Sequence, residues 1–166
     1  MSRTHYVRGQ YDPGEGLVRI HVDMPEIQDG WTLESISLIP YGDYGADSVT
    51  GGLWCAQGTS LFFLVGTNDE MLQSPTSVTR FRMTNAQIGW AVANGNHLSK
   101  PYTFVDPENW VAEDLFVQAW TVNDQGTTTV PSVTFNYILE LKSDRKSTTG
   151  ALLEMVADRS QANADT

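Results

Sequence analysis

The chain has 166 residues, of which 40% are hydrophobic and 18% charged, with a formal net charge of −10. That length can bury a core within one domain, and five Trp, six Tyr and six Phe exclude a disordered chain. The acidity disfavours phosphate-backbone binding, and a single cysteine, Cys55, excludes an intrachain disulfide or a cysteine-built zinc site.

The first residues, MSRTHYVRGQYD, lack the apolar core of a signal peptide. The longest purely apolar run, Leu61 to Val65, is far shorter than the ~20 residues that span a bilayer. No Asn-x-Ser/Thr site occurs. These features predict a soluble protein made in a cytosol, with no transmembrane segment.

Strand patterns dominate from there on. GLVRIHV alternates, with Val18, Ile20 and Val22 on one face and Leu17, Arg19 and His21 on the other. After the turn MPEIQDG comes WTLESISLIPYG, in which Ile36 and Leu38 share a face and Pro40 ends the ladder for want of an N–H. GDYGADSVTGG reads as a loop, then LWCAQG and SLFFLVG as short strands around Gly58-Thr59. NDEMLQSPTS is a further loop, VTRFRMTN alternates, and QIGWAVANGN is a strand ending in an Asn94-Gly95 turn.

Further on, Val117 and Ala119 oppose Phe116, Gln118, Trp120 and Val122 until the turn Asn123 to Gly126. In TVPSVTFNYILELK, Val133, Phe135, Tyr137, Leu139 and Leu141 point one way, while Thr134, Asn136, Glu140 and Lys142 point the other, with Ile138 the apolar exception. A helical pattern closes the chain at about Thr149 to Gln161, with Leu152, Leu153, Val156 and Ala157 on one stripe. About eight strands with turns between them and no βαβ rhythm predict an all-β antiparallel sandwich or barrel. The sandwich domain is expected over 1–146, and the terminal helix and acidic tail over 147–166.

Residue types that carry chemistry are scattered. His5, His21 and His97 form no zinc-binding motif. Neither a G-x-S-x-G elbow nor a phosphate-binding glycine motif occurs. The nearest carboxylate couples are Asp23 with Glu26 and Glu113 with Asp114, and the latter would face opposite ways on a strand. The loops GDYGAD and TNDE offer calcium-type oxygens but read more simply as self-satisfied turns. No enzymatic activity is therefore expected. Trp31 and Trp110 follow turn-like stretches, where an exposed ring could stack on a ligand or a neighbouring subunit. Arg145 and Lys146 sit at the positive end of the helix dipole, an unfavourable placement that makes them candidates for an acidic contact, the simpler alternative being that both are solvated.

The segment DLFVQAWTVNDQG…VPSVTFNYILELK, followed by a short helix, resembles the last two strands of viral single jelly-roll coat proteins. Asp114 to Val117 and Asn136 to Leu141 carry the likeness, as strands that would pack side by side. The resemblance implies a jelly-roll sandwich, a capsid shell as the location, and synthesis in a host cytoplasm. It implies copies of the chain itself as partners, with other virion proteins as further ones. Many such proteins carry a basic arm for the genome; here KSDRK, Lys142 to Lys146, is too short, so direct nucleic-acid binding is not expected. Self-repulsion at −10 per copy would be relieved by divalent cations at subunit junctions; no other cofactor is expected. The alternative is a non-catalytic carbohydrate-binding β-sandwich module.

Overall fold

The computed structural model describes residues 3–12, 14–22, 29–40, 59–69, 85–94, 100–129, 131, 134–145, 149–153 and 156. Nine strands run through them: β1 (Thr4–Tyr11), β2 (Val18–His21), β3 (Asp29–Pro40), β4 (Thr59–Gly66), β5 (Gln87–Asn94), β6 (Tyr102–Val105), β7 (Asp114–Asn123), β8 (Thr128–Thr129) and β9 (Phe135–Arg145). Every ladder between them is antiparallel.

One sheet has the order β1-β9-β3, and the other β2-β7-β4-β5-β6, with the two-residue β8 on β7. The pairings nest: β1 meets β9, β2 meets β7 and β4 meets β5, while β3 lies beside β6 without a ladder. Such nesting results when a long antiparallel hairpin is rolled up so that its strands alternate between two sheets. The chain is thus an all-β jelly roll.

The fold differs from the sequence reading in one topological respect. The strands that carry the coat-protein likeness, β7 and β9, do not pack side by side but lie in opposite sheets. Their inner residues meet across the core, Leu115 and Val117 from β7 in one cluster with Leu139 and Leu141 from β9. Rolling the hairpin separates sequential strands, which alternation within a single strand cannot reveal.

The alternation itself holds. Phe135, Tyr137, Leu139 and Leu141 are all buried in β9, and Ile36 and Leu38 are buried in β3. A register shift between Leu33 and Ser35 also brings Leu33 into the core. Tyr11 ends β1 stacked on Phe135 with ring centroids 5.4 Å apart, and its hydroxyl donates to the carbonyls of Glu15 and Gly16 at 2.8 and 2.6 Å. Burial pushes the Tyr11 hydroxyl up to about 12.

The segment between β6 and β7 closes the edge of β3. Trp31 and Val111 exchange backbone hydrogen bonds of 3.0 and 2.7 Å. The buried Asn109 side chain then acts as a one-residue strand: its Oδ1 accepts from the Leu33 N–H at 2.7 Å and its Nδ2 donates to the Leu33 carbonyl at 3.0 Å. Next to this seam the Trp110 indole lies over Gly30, where a Cβ would overlap the ring.

Several expectations fall outside the described residues: the strands LWCAQG and VTRFRMTN, Cys55, the Asn94-Gly95 turn, the loop GDYGAD and the junction between 1–146 and 147–166. Residues 149–153 and 156 are helical, in line with a short terminal helix.

Candidate functional site

The register of the second sheet builds an aromatic groove on its outer face. Phe62 on β4 pairs with Trp120 on one side and Val92 on the other, and Val92 pairs with Tyr102. One row along, Leu64 lies between Gln118 and Trp90, and Trp90 pairs with Phe104. Side chains two residues apart share a face, so these neighbouring rows present a near-continuous aromatic and aliphatic surface to the outside.

The Phe62 and Trp120 rings stack at 5.6 Å with planes 4° apart, and Trp90 tilts at 36° against Phe104 at 5.6 Å. Between them lies a cavity of about 230 Å³, and none of its described lining residues is charged. Trp120 and Leu64 form its buried floor, at 3% and 1% exposure. Tyr102, at 71%, and Phe104, at 50%, stand at its rim. The Trp90 indole N–H is already engaged, donating to Gln87 Oε1 at 3.1 Å. The groove therefore offers apolar area and ring faces but few polar handles, which suits a hydrophobic side chain better than a hydroxyl-rich ligand.

A second cluster pins the edge strand β2 to β7. The buried Asp114 carboxylate takes Arg19 Nη2 at 2.5 Å on Oδ2 and faces His21 Nδ1 at 3.1 Å on Oδ1. The hydrogen bond from Arg19, then that from His21, hold the Asp114 carboxyl below its usual range despite burial. Both carboxylate oxygens are committed, so this cluster reads as an edge clamp rather than a proton-transfer site. Glu113 precedes β7 and is exposed, whereas Asp114 is buried. Asp23 and Glu26 lie outside the described residues, and no group of metal-ligating side chains occurs among those described.

The residues singled out from sequence are dispersed. Trp110 is buried at 8% exposure against Gly30. Trp31 is half-buried, its ring 5.6 Å from that of His5. Arg145 ends β9 with its backbone opposite Asp29, and Lys146 lies outside the described residues. Neither Trp31 nor Trp110 lines the aromatic groove. The groove was nevertheless signalled: five consecutive apolar residues, Leu61 to Val65, on an antiparallel strand require both faces of that strand to be apolar.

No protein-family model matches the chain, and no curated protein matches it. Among solved structures, it is similar to Merkel cell polyomavirus VP1 in complex with GD1a oligosaccharide, at 9% identity and a TM-score of 0.44 over 84% of this chain and 94% of that one. The unassembled pentamer of the same VP1 gives 9% identity and a TM-score of 0.42, with the same coverage of both chains. Apo chimpanzee polyomavirus VP1 gives 8% and 0.40 over 88% of this chain and 96% of that one. The neighbours are thus viral capsid proteins at very low identity, and what makes this chain a jelly roll is its own nested strand order.

Proposed function

We propose that this protein is a structural coat subunit, a jelly roll that assembles with copies of itself into a shell and catalyses no reaction. One observation carries the reading: the second sheet is apolar on both faces. Its inner face fills the core of the sandwich, and its outer face carries Phe62, Trp90, Phe116 and Val122 half-buried around Leu64 and Trp120. A sandwich needs only one apolar face per sheet, and a second one rimmed by exposed rings marks a contact surface.

The edges support the same reading. Among the described residues no strand pairs with the outer edge of β1, an eight-residue strand, or continues the second sheet beyond β6, which exposes Tyr102 and Phe104. Long open edges are what monomeric proteins avoid. The shell location and the self-association belong to this proposal, as do divalent cations relieving repulsion between copies of charge −10.

The test is negative-stain microscopy and light scattering of the purified chain. Assembled rings or shells are expected, with about 1,200–2,000 Å² buried per contact. A monomer that persists at millimolar concentration overturns the reading.

A further inference from the structure

We propose that copies join by inserting the terminal helical ridge of one, Leu152, Leu153 and Val156, into the aromatic groove of the next. This rests on the coat-subunit reading and names the contact it needs. Leu152 and Val156 are four apart and Leu153 and Val156 three apart, so all three lie on one side of the helix. They are 46%, 65% and 64% exposed, whereas Ala151 is fully buried. The helix is thus seated by its Ala151 side and turns an aliphatic ridge outward. Clustered aliphatic side chains in water mark a surface that meets a partner.

The groove is the matching receptor. Ridge and groove are open in the same chain, so the ridge does not fill its own groove. An apolar hollow of ~150 Å³ accepts a benzene ring, so one of about 230 Å³ has room for one or two branched aliphatic side chains. Charge narrows the choice of occupant. Two copies of −10 each repel, and a groove with no charge among its described lining residues, meeting the aliphatic ridge, joins them without desolvating a described carboxylate. A ridge at one place and a groove at another make a head-to-tail contact, which closes into a ring or shell when the rotation permits.

The test is a mixed cross-link. In a Cys55→Ser background, one preparation carries Leu153→Cys and another Phe104→Cys, both at exposed positions. Mixed in equal amounts and mildly oxidised, they should give a disulfide-linked pair well above either preparation alone. Leu153→Asp or Phe104→Asp should each weaken association roughly tenfold or more, and the two together no further. Should the Cys55→Ser background fail to fold, Phe104→Lys mixed with Leu153→Glu should associate better than either alone. Assembly with neither the mixed cross-link nor that charge rescue overturns the ridge-in-groove contact and leaves the coat reading standing. A strict monomer removes both. A lipid or other small apolar molecule found in the groove by native mass spectrometry, blocking the cross-link, also overturns it.

Discussion

On the outer face of the first sheet, each row across β1, β9 and β3 carries polar groups: Thr4, Lys142 and Thr32 in one, Arg8, Ile138 and Ser37 in another. In a third, Glu140 accepts from Ser35 Oγ at 2.9 Å and from the Tyr6 hydroxyl at 3.5 Å. On the outer face of the second sheet, the corresponding rows read Trp120, Phe62, Val92, Tyr102 and Gln118, Leu64, Trp90, Phe104. The backbone geometry is the same; one outer face is largely polar and the other largely aromatic and aliphatic. The difference teaches that alternation assigns a side chain to a face, whereas what that face meets is decided by the residues placed across from it.

The sharpest way to break this contrast is a paired truncation. Trp120→Ala should cost about 3–5 kcal/mol by chemical denaturation, because it empties the floor of the groove. Ile138→Ala on the first sheet's outer face should cost about 1 kcal/mol or less. Similar losses at the two sites would erase the distinction between the faces.

The edges extend the comparison. Asn109→Ala leaves the Leu33 N–H and carbonyl without their side-chain partner at the closed edge of β3, an expected loss of about 2–4 kcal/mol. Hydrogen exchange at Leu33 should rise with it; an unchanged rate would show that Asn109 does not close this edge.

Tyr11 reports on the shared core by pH. Its folded value of about 12 exceeds the ordinary value of about 10, so the folded state keeps the proton that the unfolded chain loses. The resulting stability is complete below pH ~10 and declines, by of order 1 kcal/mol per unit, as pH rises towards 12. Tyr11→Phe should show a shallower decline, keeping the part that burial of the Tyr137 hydroxyl contributes, and a fully parallel decline in the variant would assign it to other groups.

The smallest effect is expected at β2. Asp114 has a depressed folded value, so its clamp contributes above the ordinary carboxylate range and is lost as pH falls through the folded value. Asp114→Asn should therefore differ from the parent at pH 7 and converge with it in strong acid. A constant difference would mean that packing, not charge, holds this edge.

Much of the fold was legible because buried strands leave a period-two imprint. Val18 and Ile20, Val117 and Ala119, and Phe135, Tyr137, Leu139 and Leu141 all face the core as their alternation requires. β1 left a weaker imprint: its inward residues include Gly9, which is glycine because the Tyr137 ring occupies the space of a Cβ. Its pattern thus lacks an apolar residue at a core position. Trp110 shows the limit of local context, since a tryptophan after a turn looks exposed until the seam formed by Asn109 and Val111 draws it in against Gly30.

By itself the sequence determined that this chain forms antiparallel sheets, ends in a short helix and has no metal or nucleophile motif, because hydrophobic period and residue spacing are local properties. Only the tertiary structure decided that β7 and β9 lie in opposite sheets, and that Phe62, Trp90, Phe104 and Trp120 meet in one groove. These residues lie on four successive strands, β4 to β7. Their proximity is set by cross-strand register, and register is fixed by what every strand buries together.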